Sequence, residues 1–201
     1  ICARWRGVDL SITDALNAAK DNVRFLENIE VMLVPTYKQS PKAINDHLHP
    51  IMNSLKMVHT LSRHYGTKTK MTNLFFTLTN HMLSCCRRDI LRGGSSAALW
   101  TEPAHDVQDR LKTSLTLCQN YHSEYLQTKS RLMTNPLGKQ FDFDEEFIFH
   151  KLELFQRRLE KLLDMFESVL QYEMLKMKRI DGSESHLEEY TRLFTEFRNR
   201  G

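Results

Sequence analysis

The chain has 201 residues, 41% of them hydrophobic, so it can bury a core and is not a disordered tail. Its 28 basic and 25 acidic residues are mixed along the sequence, and a formal charge of +3 is too balanced for a dedicated nucleic-acid binder. Uncharged stretches are shorter than the roughly 18 residues that span a bilayer, and no signal peptide is apparent. Since Gly and Pro are few, we expect an all-α protein. From the charge balance and the short uncharged stretches we expect a cytoplasmic protein that contacts neither nucleic acid nor membrane.

The first predicted helix starts near Ser11 or Thr13, since either side chain can cap it. It runs to about Leu33, before Pro35. Its apolar stripe has helical spacing and consists of Ile12, Leu16, Ala19, Val23, Leu26 and Ile29.

A second helix is predicted from Ser40 and Pro41, a capping residue followed by a first-turn proline. We expect Pro50 to kink or divide it, and Gly66 to stop it. Its apolar stripe is Ile44, Leu48, Ile51, Leu55, Val58 and Tyr65.

A third helix is predicted from about Thr69 to Arg92, where Gly93 and Gly94 end it. The loop that follows carries Trp100. The residues that face one way on this helix are Met71, Phe75, Leu78, Met82 and Cys85.

The fourth and fifth predicted helices are the longest. Pro103 opens the fourth, and residues 135–138 close it. The fifth begins around Asp144 and carries the clearest pattern, which residues 181–183 break before a sixth helix over 186–198. The fifth helix's stripe is Ile148, Leu152, Phe155, Leu159, Leu162, Phe166 and Val169.

Short connections and a stripe on every helix predict an elongated stack of antiparallel helical bundles with about six helices. We treat residues 1–201 as one helical segment. Within it, residues 9–92 form part of a first bundle, 103–180 a long hairpin, and 186–200 the start of the next helix. The chain lacks an initiator Met and stops after a helical pattern, so we expect it to be part of a longer polypeptide.

Clustered carboxylates precede the fifth helix, at Asp142, Asp144, Glu145 and Glu146. At a helix start such groups usually cap free N–H groups and favour the helix dipole. The competing interpretation is a metal-dependent bundle enzyme in which Glu146 and His150 share an ion. That interpretation is weak because helical di-iron sites need Glu-x-x-His motifs, and the sequence has none.

Four cysteines lack C-x-x-C spacing, which argues against a zinc ribbon or a disulfide framework and favours a reducing compartment. Cys85 and Cys86 lie in the middle of a predicted apolar helix. Thiols in such places are usually small buried hydrophobic groups rather than nucleophiles. We expect no catalytic residue, metal or cofactor in the chain.

A basic cluster at the end of the third helix, Arg87, Arg88 and Arg92, either complements the helix dipole or contacts an acidic partner. Trp100 and Phe141 lie on predicted loops. Each ring is either tucked under its loop or anchors a partner, and the sequence does not decide between these. These five residues are the candidate partner-binding set.

Four separated blocks of sequence are more specific than the periodicity. Together, in this order and spacing, they closely resemble the N-terminal tail of axonemal dynein heavy chains, from about residue 9 to 175. The blocks are residues 14–26 (DALNAAKDNVRFL), Tyr65 with 71–75 (MTNLF), 79–82 (TNHM), and 140–143 (QFDF) leading to 155–159 (FQRRL).

The resemblance implies a segment of the stem of a ciliary motor in the cytoskeleton of the axoneme. Its implied partners are other dynein heavy chains, intermediate and light chains, and docking proteins on doublet microtubules. The family's ATP-hydrolysing ring, with its ATP and magnesium, lies far downstream. No catalytic residue is carried over, since the chain has no Walker A or Walker B element. The alternative is a helical tethering or spectrin-like adaptor unrelated to motors.

Overall fold

A computed structural model describes residues 2–36, 40–92, 94–134, 138–177 and 191–196. The described residues are helical and contain no strand, which confirms the all-α prediction. No helix among them is long and apolar enough to cross a membrane. The α-helices are α1 (Cys2–Thr36), α2 (Pro41–Asp46), α3 (Leu48–Leu61), α4 (Lys68–Leu91), α5 (Ala104–Met133) and α6 (Glu145–Met177), and a 3₁₀ helix spans Ser96–Trp100.

Helix α1 begins at Cys2, so the predicted start at Ser11 or Thr13 is wrong. Both residues lie inside the helix, where a residue that suits a cap costs only a few tenths of a kcal/mol. Gly7 does not interrupt the helix either, since one glycine costs about 1 kcal/mol. The helix continues through Pro35 to Thr36, so the prediction that it ends at about Leu33, before Pro35, is wrong by one turn.

The predicted division of the second helix is confirmed, and it falls at His47. Pro50 is the third residue of α3, where its missing N–H removes no helical hydrogen bond. Helix α3 ends at Leu61, so the prediction that it continues to Gly66 is wrong. A Cβ on Gly66 would lie 2.6 Å from the His59 carbonyl oxygen, so glycine serves here for close approach rather than as a helix stop.

The end of α4 and the start of α6 match the predictions closely. Arg92, with φ 45°, takes the left-handed position after α4, and Gly94 N–H donates to the Leu91 carbonyl at 2.7 Å. At the start of α6, Phe147 N–H donates to Asp144 Oδ1 at 3.1 Å, which confirms the carboxylate cap.

The sixth predicted helix is described only in part. Residues 191–196 are helical, in agreement with the prediction. The predicted break at 181–183 and the predicted start at 186 lie outside the described residues.

Two buried apolar clusters follow the length of the α5–α6 pair. The first half of α5 packs with the middle of α6, and the second half of α5 packs with the start of α6, so the two helices are antiparallel, as predicted. The larger cluster also takes in α2, α3 and most of α4. The smaller cluster consists of Ile90, Leu99, Val107, Leu111, Leu159 and Phe166.

The linker before α6, residues 138–144, lies partly at the surface, but it inserts two aromatic side chains into the core. Phe141 and Phe143 are buried, and their rings lie 5.4 and 5.1 Å from the His59 ring. His59 Nε2 donates to the Gln140 carbonyl at 3.1 Å, and Lys139 Nζ donates to the His59 carbonyl at 2.9 Å. Burial lowers the pKa of His59, and the positive charge of Lys139 lowers it further.

Candidate functional site

The predicted basic cluster lies at the C-terminal end of α4. The side chains of Arg87, Arg88 and Arg92 are all exposed. Arg88 Nη2 also reaches Cys85 Sγ at 3.6 Å, and Arg88 and Arg92 are one helical turn apart. The cluster therefore presents fixed positive charge to solvent at a helix end that carries partial negative charge.

Arg110, on α5, holds this end of α4 in place. Its guanidinium is buried and donates to the Ile90 carbonyl at 2.6 Å, while Nη2 forms an ion pair with Glu102. The last carbonyls of a helix have no helical partner, so a buried arginine that binds one of them satisfies two groups at once. Arg110 therefore fixes the end of α4, which carries the basic cluster, to α5.

Trp100 closes the loop beside the basic cluster. Its ring stacks on Phe166 of α6, with centroids 4.9 Å apart and planes 15° from parallel. The ring is half-buried, so it fixes the loop and still offers part of its surface to solvent. Trp100 also packs against the apolar cluster that contains Ile90, so it lies at the same end of α4 as the three arginines.

Phe141 does not belong to this surface. Its side chain is fully buried and contacts Phe75 and Tyr125, with ring centroids 5.7 and 5.4 Å away. As a partner-binding residue Phe141 is therefore a wrong prediction. Of the two possibilities that the sequence left open, the ring is tucked beneath its loop.

Glu146 and His150, the pair considered for a metal site, are both exposed on α6. Among the residues that the structure describes, no three His, Cys, Asp or Glu side chains lie close enough to hold a metal ion. Asp142 instead accepts a hydrogen bond from Lys68 Nζ at 3.1 Å, and Glu145 accepts one from Lys129 Nζ at 2.5 Å. These carboxylates tie neighbouring elements together.

Cys85, Cys86 and Cys118 are buried free thiols, as the sequence interpretation expects. Burial raises the pKa of the Cys85 thiol. The hydrogen bond with Cys86, together with burial, raises the pKa of Cys118. A reactive cysteine needs a lowered pKa and access to solvent, so neither Cys85 nor Cys118 is placed for nucleophilic chemistry.

Sequence reasoning missed two polar residues that organise the fold, Arg110 and Asp21. Asp21 of α1 accepts hydrogen bonds from Ser62 Oγ at 2.6 Å and from the His64 N–H at 2.9 Å. These bonds lower the pKa of Asp21, the Ser62 bond most strongly. The only sequence signal is that both residues adjoin an apolar stripe, which also holds for many solvated charges.

Comparison with known families decides the identity of the chain. The family described as dynein heavy chain, N-terminal region 1, matches residues 1–200. The chain belongs to the dynein heavy chain family. This dynein segment spans about 4% of the length of its first relatives.

Three relatives illustrate the similarity of the dynein segment. It is 39% identical to mouse (Mus musculus) dynein axonemal heavy chain 5 over 186 residues, which is 92% of this chain and 4% of the relative. It is 33% identical to the gamma chain of the flagellar outer arm dynein of Chlamydomonas reinhardtii over 198 residues, 98% of this chain and 4% of the relative. It is 32% identical to human (Homo sapiens) dynein axonemal heavy chain 8 over 178 residues, which is 89% of this chain and 4% of the relative. These names indicate an axonemal location.

Proposed function

We propose that this chain is a non-catalytic part of the stem of an axonemal dynein heavy chain. In this role it scaffolds intermediate and light chains and other heavy chains, and it transmits force from a distant ATPase motor to the docked doublet microtubule. The observation that carries the proposal is the match of residues 1–200 to the N-terminal region of the family. That match removes the support for an adaptor unrelated to motors.

The packing of the long helices suits a part that transmits load. Leu159 and Phe166 of α6 are buried against α5 residues such as Leu111. Each such side chain stabilises the packed state by roughly 1.5–3 kcal/mol relative to exposure, so adjoining helices are held along their length rather than at single points. In our proposal ATP and magnesium belong to the downstream motor, and this segment holds no cofactor.

We place one partner contact at the basic cluster of Arg87, Arg88 and Arg92, beside Trp100. Arginine forms paired hydrogen bonds with carboxylates, and a half-buried indole supplies apolar contact area at little entropic cost. The proposed partner is an acidic segment of an intermediate chain or of a docking protein.

Charge reversal in the complete heavy chain tests the proposal. We expect a triple variant with Arg87, Arg88 and Arg92 each changed to Glu to retain the other heavy chains but to lose at least one intermediate chain or docking protein on co-purification from axonemes. The matched control changes the exposed pair Arg157 and Arg158 of α6 to Glu, and it should retain every subunit.

Two readouts separate a lost contact from a damaged fold. Circular dichroism should show unchanged helix content in the 201-residue chain that carries the triple change, because the three side chains are exposed and reversing a charge at a helix C-terminus costs only about 0.3–1 kcal/mol per side chain. Full subunit retention by the triple variant would rule out this surface as the contact. A stem role as a whole would be refuted if the complete chain assembled and moved normally with residues 1–201 deleted.

A further inference from the structure

The contact between His59 of α3 and the linker before α6 contains a buried titratable group with one unsatisfied atom. The His59 side chain is buried, and its Nε2–H donates to the Gln140 carbonyl at 3.1 Å. Because a carbonyl can only accept, the proton of the neutral ring lies on Nε2, and Nδ1 is left as an acceptor. Nδ1 is buried and has no hydrogen-bond partner among the residues that the structure describes. We call His59 and the linker residues 139–143 together the His59 contact.

A second proton on His59 has no favourable place in this contact. The added Nδ1–H would be a buried donor without an acceptor, which is costly. The rings of Phe141 and Phe143, 5.4 and 5.1 Å away, supply no acceptor. Lys139 Nζ donates to the His59 carbonyl at 2.9 Å and already brings one positive charge to the same residue. The imidazolium therefore favours a state in which the ring reaches water.

The carboxylates on the elements around the His59 contact do not offset this cost, because each of them has another partner. A carboxylate beside an imidazole would favour the charged ring, and His59 has no such neighbour within hydrogen-bonding distance among the described residues. The carboxylates are Asp21 of α1, bonded to Ser62 and to the His64 N–H, Asp142 of the linker, paired with Lys68 of α4, and Glu145 of α6, paired with Lys129 of α5.

The other titratable groups around the contact supply no negative charge either. Burial raises the pKa of Tyr65, in the loop after α3, and that of Tyr125 on α5, so both phenols keep their protons at neutral pH. Lys70 of α4 is a further cation and donates to the His64 carbonyl at 2.9 Å. The surroundings of His59 therefore oppose a positive charge on its ring.

We propose that protonation of His59 releases the linker, and with it the start of α6, from α3, so that the His59 contact is an acid-sensitive closure of the α5–α6 connection. Burial, and then the charge of Lys139, lower the pKa of His59 from its ordinary 6.5. A base of this kind stabilises the closed state fully above pH 6.5, and the stabilisation is lost as the pH falls from 6.5 towards the lowered value. This inference depends on the fold and not on the proposed stem function.

Hydrogen exchange of the 201-residue chain at pH 7.5 and pH 5.5, corrected for intrinsic exchange rates, tests the release. The amides of residues 147–151 report on it, since Phe147 N–H bonds to Asp144 of the linker. Their exchange should accelerate by up to about tenfold at pH 5.5, because a released His59 is then protonated about ten times as often as it is neutral. The amides of residues 114–121, in the middle of α5, are the internal reference and should change far less.

A matched pair of variants assigns the response to His59. In His59→Gln the side-chain amide can still donate to the Gln140 carbonyl but does not titrate, so the acceleration should disappear. His105, whose side chain is 79% exposed and lies 3.2 Å from Asp109, is the control histidine. His105→Gln should accelerate as the wild type does, and both variants should retain the helical circular dichroism of the wild type.

Lys139→Gln gives a second test that leaves His59 in place. It removes the neighbouring positive charge, so the acceleration between pH 7.5 and pH 5.5 should be smaller than in the wild type. The proposal is overturned if the wild type shows no acceleration, or if His59→Gln or Lys139→Gln responds as strongly as the wild type. Equal acceleration of the α5 reference would also overturn it, because acid would then open the whole chain.

Discussion

Helix α1 and the α4–α5–α6 bundle share the same sequence pattern but not the same environment. All four helices are long and carry apolar residues three and four apart. In the bundle these residues form the core, whereas in α1 most are exposed, and Ile29 is the one buried residue among the α1 side chains that the structure describes. A helical stripe therefore predicts that a face needs a partner, but it does not say whether the partner lies in the same chain.

The largest expected effect separates these two environments. Phe75→Ala should lower the free energy of unfolding by about 3–5 kcal/mol, since it empties a site at which Tyr125 and Phe143 pack edge-on or tilted at 5.2 and 5.4 Å. Leu16→Ala, which truncates a side chain that is 52% exposed, should change it by about 0.5 kcal/mol or less in the monomer. Urea unfolding at low protein concentration measures the free energy of unfolding of both variants. Equal losses would show that Phe75 and Leu16 do not differ in their contribution to stability.

A middle-sized effect is expected where a polar group holds the bundle end. Arg110→Met keeps much of the side-chain volume but leaves the Ile90 carbonyl and Glu102 without their partner, at a cost of about 2 kcal/mol. Arg110→Lys should recover part of the loss, because an ammonium keeps the charge but cannot bind both groups in the same fork. Thermal unfolding of both variants checks this, and a Met variant as stable as the wild type would show that the ion pair contributes nothing.

The smallest effect concerns the attachment of α1. Asp21→Asn should cost about 1 kcal/mol at neutral pH, because the carboxylate accepts hydrogen bonds from Ser62 and His64. Those bonds lower the pKa of Asp21 from its usual 3.8, so the stabilisation is complete above pH 3.8 and is lost as the pH falls through the lowered folded-state pKa. Urea unfolding of both proteins from pH 7 to pH 3 should show the difference shrinking at the acid end. If the difference in unfolding free energy stayed constant with pH, ionisation of Asp21 would not be its cause.

The sequence predicts the helices well because each one has strong local signals. Ser40 with Pro41 marks the start of α2, and Asp144 marks the start of α6, since a cap acts within one turn. The predicted start of α1 is wrong because serine and threonine, as at Ser11 and Thr13, are tolerated inside a helix as well as before one.

The candidate site is harder to predict than the fold, because burial depends on residues distant in sequence. Phe141 is buried by Phe75 and Tyr125, and Arg110 is fixed by a carbonyl 20 residues away. Neither contact leaves a periodic signal. The exposed arginines follow from sequence alone, since Arg87 and Arg88 lie in the last turn of α4 and Arg92 directly follows it.

The linker of residues 138–144 has a mechanical consequence. Lys139 and Gln140 bond to His59 of α3, and the rings of Phe141 and Phe143 lie among residues of α3, α4 and α5. A pull on α6 away from α5 would first have to draw two aromatic rings out of a close-packed interior, so rupture would require many contacts to slide together instead of parting one by one. Residues 138–144 of this connection therefore resist separation of α6 from the rest of the bundle.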